Sequence, residues 1–342
     1  MAKSPRGPSR DEKPDLGRRR ILVGGAASVA GGVAAAYMPR LALAQGAETV
    51  RIGVPTKTYW PTIVAETALR QKLFDKEGIK AELTIYRSGS ETFEATAAGA
   101  ADLQLNSAAL VAAGRRKGVQ TKAVAGAALG YYGWYLMVKT DSKISQIAEL
   151  EGKKVGITAA GSASDVLGRW TMQDRKVKFT AVPLGGGGLV PNMLSGNVDA
   201  VVLYSPLSFK VMQEKQGRSL IDYGAEVQPH LSGLWIAPDK FIAEKPQAVQ
   251  KAVNALFGAV VFLQDKGNRA EAIKLIAEID EIPAQVAEAE LDGNLSKMST
   301  TGEMKEEWLS RALDLARLVG MTDLAPVAEI YASNFAPAPT KK

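Results

Sequence analysis

Four short segments carry the side chains best suited to holding a small molecule. Ser88-Gly89-Ser90, Asn106-Ser107, Gly161-Ser162-Ala163 and Tyr204-Ser205-Pro206 each follow a run that reads as a strand. The first three also open a helical pattern. Paired hydroxyls, a glycine that admits backbone, and the free amides of a helix start suit a carboxylate, a sulfonate or a similar anion. An ordinary helix cap explains one of Ser88 and Ser90 but not both. Asn106 can donate and accept. Ser162 is the leading candidate, as ligand donor and helix cap together. Asp165 reads as a charge partner of the first helical turn rather than a ligand group.

Aromatic rings accompany these hydroxyls. Tyr59 and Trp60 close the loop after the first strand and can stack on a flat ligand, although Trp60 can equally pack at the helix start. Tyr131-Tyr132-Gly133-Trp134-Tyr135 holds four rings in five residues. Read as a strand, it puts Tyr132 and Trp134 on one face and Tyr131 and Tyr135 on the other. Parity alone leaves open which pair faces a ligand; Tyr132 and Trp134 are carried as candidates. Gly185–Gly188 lacks the Lys-Ser/Thr of a phosphate loop. There, Gly187 and Gly188 either bring bare amides to a ligand or form a flexible loop.

The composition removes whole classes of chemistry. The chain has 342 residues, no Cys and one His, His230. Disulfides, thiol nucleophiles and Cys-ligated zinc or iron–sulfur sites are excluded. Hard-metal capture by paired tyrosines needs carboxylate or His partners, so no metal or other cofactor is expected. Of the formal charge of +6, residues 1–44 supply +5, from eight Lys/Arg against three acids. The remaining chain is close to neutral and has no footprint for nucleic acid.

Residues 1–20 are polar and end in Gly17-Arg18-Arg19-Arg20. A glycine-diluted apolar run, 21–38, follows, and Ala42-Leu43-Ala44 offers a small-x-small exit. Charged head, apolar middle and small-residue exit define a secretory signal. Arg18-Arg19-Arg20-Ile21-Leu22 resembles the twin-arginine signature, with Gly17 and Ile21 departing from it. Residues 1–44 are therefore expected to be cleaved, leaving a monomeric periplasmic protein.

Downstream, strands at 50–54, 80–87 and 103–105 alternate with helices at 60–75 and 91–98, which argues for parallel α/β sheets. An internal echo follows. Ile52-Gly53-Val54 is matched by Val155-Gly156-Ile157, and Gly99-x-x-Asp102 by Gly196-x-x-Asp199. Two similarly built lobes are expected: 45–139 with 233–342, and 140–232. The crossover strands 134–138 and 234–237 would join them as a hinge.

At this point the residues resemble a family. Arg51-Ile52-Gly53-Val54, Arg87-Ser88-Gly89-Ser90, Leu150-x-Gly152-Lys153-Lys154-Val155-Gly156 and Ser195-Gly196-x-Val198-Asp199-Ala200 are similar to type II periplasmic binding proteins. The group is that of sulfonate, nitrate, taurine and thiamine-precursor binders. The resemblance implies two α/β lobes closing on a small organic ligand and delivery to the membrane permease of an ABC importer, and the density of rings points to an aromatic or otherwise flat organic acid. A TRAP-type receptor shares the architecture, and a thiamine-precursor enzyme is the catalytic rival, although its cysteine-rich motif is absent. No catalysis is expected.

Overall fold

The computed structural model describes residues 47–337, so the leader and its cleavage site lie outside the described residues. Among the described residues there are ten strands: β1 (Glu48–Pro55), β2 (Ile79–Tyr86), β3 (Leu103–Asn106), β4 (Thr121–Leu129), β5 (Tyr135–Lys139), β6 (Lys154–Ile157), β7 (Thr180–Pro183), β8 (Ala200–Leu203), β9 (Gly217–Asp222) and β10 (Leu231–Pro238). They form two mixed sheets, ordered β2-β1-β3-β10-β4 and β7-β6-β8-β5-β9. Replacing β1, β2, β3, β4 and β10 by β6, β7, β8, β9 and β5 turns one order into the other.

Parallel pairing links β2, β1 and β3, and likewise β7, β6 and β8. One strand in each sheet runs against the rest, β10 in the first and β5 in the second. Helices cover the sheets, so central strands are apolar on both faces, as Ala200–Leu203 is throughout.

The internal echo has a physical cause. Gly99 (φ 77°) and Gly196 (φ 76°) both sit in the left-handed region where a helix stops. In both places the glycine N–H returns to the third residue back, Thr96 or Met193. The next N–H reaches Ala95 or Asn192, which closes the same C-terminal motif twice. Three residues on, Asp102 Oδ2 accepts the Arg51 N–H at 2.9 Å and Asp199 Oδ2 accepts the Lys154 N–H at 2.9 Å. Each aspartate thus ties the start of its lobe's first strand to the strand it introduces.

Two expectations need correction. The helix expected at 60–75 is broken: Trp60–Arg70 ends, Lys72 turns at φ 55°, and a short turn Leu73–Lys76 follows. That turn drops Phe74 into the core, where it is 2% exposed. The crossings are also not strands. Tyr135–Lys139 lies wholly in the second sheet and Leu231–Pro238 in the first. The chain changes sheets in the short segments 130–134 and 227–230.

These two segments touch. The Gly130 N–H donates to His230 O at 2.8 Å, Ser232 Oγ donates to Gly130 O at 2.6 Å, and the Tyr131 ring meets the His230 ring at 5.1 Å. His230 is buried, and desolvation lowers its pKa from the usual value. A neutral imidazole in the fold, protonated more readily when unfolded, stabilises above its unfolded pKa of about 6.5 and less as pH falls below it. Because it is the only histidine, its ring resonance is unambiguous. An NMR titration is expected to place its midpoint below 6.5; a midpoint at or above that value would contradict the burial.

Candidate functional site

Both sheets send their strand ends towards a common gap. Pro55-Thr56 and Leu105-Asn106-Ser107 arrive from β1 and β3, Thr158 from β6, and Tyr204 from β8. Open α/β sheets bind ligands beyond the carboxyl ends of their strands. A cavity of about 40 Å³ lies there, in the measure by which one water needs roughly 10–15 Å³. Its lining also includes Tyr59, Gly89, Trp134, Ser162, Ala163 and Ser232. No Arg, Lys, His, Asp or Glu is among the lining residues.

Three helices begin at this cavity: Gly89–Ala97, Ala108–Arg116 and Ala163–Arg175. Their first residues, or the residues capping them, line it. Each start carries roughly half a positive charge. Ser88 Oγ accepts the Glu91 N–H at 3.1 Å and Ser107 Oγ accepts the Leu110 N–H at 3.4 Å, so both serines act as caps. Ser162 stands at the cap position without capping. Its hydroxyl donates to Ala159 O at 2.7 Å and accepts from Thr158 Oγ1 at 2.8 Å, in a cluster completed by Ser164. The expectation of Ser162 as cap is corrected; its proton serves the loop.

Asn106 is spent on scaffolding. Its Nδ2 donates to Gly89 O at 2.7 Å and to Gln104 Oε1 at 3.1 Å, and its Oδ1 accepts the Ser107 N–H. Those bonds fix the serine-rich loop to the strand beside it. Two of the hydroxyls lining the cavity, by contrast, have no partner beyond each other: Thr56 Oγ1 and Tyr204 OH, both buried. The Thr56 methyl and the Tyr204 hydroxyl both approach Gly186, where an added Cβ would lie 2.8 Å from Thr56 Cβ and closer still to the Tyr204 hydroxyl.

The rings form one cluster. Tyr59 meets Tyr204 at 4.8 Å and Trp134 at 5.7 Å, and Trp134 meets Tyr204 at 5.1 Å and Tyr131 at 5.7 Å, in tilted or edge-on geometry. Desolvation pushes the Tyr59, Tyr131 and Tyr204 hydroxyls above the ordinary phenol range, so each remains a neutral donor. Tyr59 and Trp60 also touch, at 5.8 Å, but Trp60 is 3% exposed within the first core.

The lobes are shut in this structure. Gly186 N–H donates to Arg87 O at 3.0 Å, and Ser90 Oγ donates to Ala160 O at 2.7 Å. Ser90 therefore bridges the lobes rather than lining the cavity. Tyr132 lies elsewhere, under Lys297 at 4.4 Å. Strand parity failed for it because 131–134 is a turn, with Gly133 at φ 74°, which buries Tyr131 and Trp134 together. Gly187 faces a neighbouring cavity, and Gly188 O accepts Asn192 Nδ2 at 2.8 Å within its own turn.

The structure brings together Tyr59, Gly89, Asn106, Ser107, Trp134, Ser162, Ala163 and Tyr204. Sequence reasoning missed Thr56, Thr158, Pro55, Leu105 and Ser232. A signal existed for two of them: Thr56 and Thr158 are each the first residue after the lead strand of their lobe.

Twin sheets of one topology meeting over a hydroxyl-lined gap define a periplasmic binding protein fold. The chain belongs to the NMT1-like family, whose model matches residues 44–277. A putative aliphatic sulfonates-binding protein of Bacillus subtilis is 26% identical over 242 residues, covering 70% of this chain and 72% of the relative. The alkanesulfonate-binding protein SsuA of Xanthomonas axonopodis pv. citri, solved with MOPS, superposes with a TM-score of 0.72 at 17% identity, covering 83% of this chain and 99% of that one. The nitrate-binding protein NrtA of Synechocystis PCC 6803 gives 0.67 at 14% identity, covering 81% and 82%. No helix among the described residues is long and apolar enough to cross a membrane.

Proposed function

We propose that this protein is a periplasmic receptor that closes its two lobes on a small organic anion and presents it to the permease of an ABC importer. The observation carrying this reading is the pair of buried hydroxyls, Thr56 Oγ1 and Tyr204 OH, which have no partner beyond each other and face a cavity with contributions from both lobes. A buried hydroxyl without a partner costs about 1–3 kcal/mol, which a ligand oxygen would recover. Three helix starts and no cation suit a delocalised anion such as a sulfonate or nitrate, held by amides and hydroxyls. The relative's sulfonates and the neighbours' alkanesulfonate and nitrate support that class. Closure follows from differential affinity, because only the shut form offers both lobes at once.

The test is native mass spectrometry of the mature protein, then a thermal-shift panel of sulfonates, nitrate, pyrimidines and aromatic carboxylates. A true ligand raises the melting temperature with concentration as mass action requires. Thr56→Val and Tyr204→Phe are each expected to weaken that ligand about tenfold while leaving the ligand-free protein as stable or more so. A panel without any saturable shift sinks the reading.

A further inference from the structure

Outside the cavity, the molecule buries a second set of polar atoms that the ligand site does not use. The helices Arg269–Asp280 and Ala284–Gly293 belong to the first core, and the helix Leu207–Gln213 to the second lobe. They meet along a seam beneath the crossing segments. Gly293 admits Phe209 there, whose ring would lie 2.8 Å from an added Cβ. Gln213 Nε2 donates to Gln285 O at 3.3 Å, and Asn294 Nδ2 donates to Ser205 Oγ at 3.0 Å. The same Asn294 amide donates to Glu290 Oε1 at 2.8 Å.

Glu290 is 0% exposed and Asp280 5% exposed. Both Asp280 carboxyl oxygens have no hydrogen-bond partner, and Glu290 is held only by the Asn294 amide and the Ser205 hydroxyl. The charged groups around them do not compensate. Lys57, from the loop after β1, is exposed and paired with Glu281. Tyr59 and Tyr204 are neutral. Lys210 and Glu214 of the second-lobe helix line the neighbouring cavity, and Arg269 on the outer side is engaged by Glu288 and Asp292. Two dry carboxyls with no cation cannot both be charged.

We propose that the Asp280–Glu290 pair is a proton-operated latch: the shut lobes hold the pair protonated, and loss of its protons opens the seam. Water reaching the seam lets both groups ionise, so opening releases protons and closure takes them up. Desolvation accordingly raises Asp280 to about 9 and Glu290 to about 7, and the Glu290 charge further opposes the ionisation of Asp280. For an acid raised in the shut form, the favourable contribution to closure is complete at low pH. It is lost as pH rises through about 7 and then about 9. By reciprocity, ligand capture strengthens as pH falls through the same window.

The latch rests on the two-lobe receptor reading, but it is tested without ligand. Small-angle scattering of the ligand-free mature protein from pH 5.5 to 9.5 is expected to show expansion at the alkaline end. Asp280→Asn with Glu290→Gln is expected to stay compact throughout, and Glu290→Gln alone to shift the expansion to higher pH. An unchanging wild-type profile, or the same expansion in the double variant, overturns the latch. Greater stability of the variants with no difference in shape also overturns it, since that outcome marks a merely structural pair. None of these results bears on whether the ligand panel finds a binder.

Discussion

Trp134→Ala is expected to lower the unfolding free energy by roughly 3–5 kcal/mol, the usual cost of deleting a buried tryptophan. Trp134 is 5% exposed and touches Tyr59, Tyr131 and Tyr204, so its ring joins rings from both sides of the crossing. Its backbone continues the same role, with Trp134 O accepting the Tyr223 N–H at 3.0 Å. Truncation leaves a void under Tyr204 and removes one wall of the cavity, so binding fails along with stability. Trp134→Phe keeps most of the contact area and should retain more than half of the lost stability. Urea unfolding at fixed pH decides it: a loss below about 1 kcal/mol with an unchanged slope would show that the cluster does not need this ring.

Gly186→Ala is expected to cut ligand affinity on the order of 30- to 100-fold while leaving each lobe folded. The added methyl would collide with Thr56 and the Tyr204 hydroxyl at once, and overpacking of that kind costs about 1–3 kcal/mol. The clash with Thr56 exists only when the lobes are shut, because Thr56 comes from one lobe and Gly186 from the other, whereas Tyr204 shares Gly186's own lobe. Relief by opening therefore lowers the competent fraction, and with it the apparent affinity. Gly187→Ala is the matched control, since nothing lies within 4 Å of its added Cβ. Equal affinities for the two variants would mean that Gly186 does not report closure.

The architecture was legible where local rules carry information. The Gly-x-x-Asp echo announced twin lobes because the same helix stop and the same aspartate–amide bond are needed in each. Loops after strands were found through their hydroxyls and glycines. What stayed hidden depended on where side chains turn after folding. Ser162 looked like a cap, but a third residue, Thr158, draws its hydroxyl inward. Tyr132 and Trp134 were paired by strand parity, whereas Gly133 makes a turn and pairs Trp134 with Tyr131 instead. The burial of Asp280 and Glu290 leaves no local mark in the sequence, because only the packing of distant helices removes their solvent.

The position of β10 has a consequence for how the chain is made. It lies between β3 and β4, yet it is synthesised after all the strands of the other sheet. The second lobe is an uninterrupted stretch and can condense as soon as it leaves the ribosome. The first must wait with an open slot, its unpaired β3 and β4 edges exposed to any passing strand. A nascent chain stalled before Leu231 would thus carry one finished lobe and one sticky half, which makes this interval the stage at which a chaperone matters most.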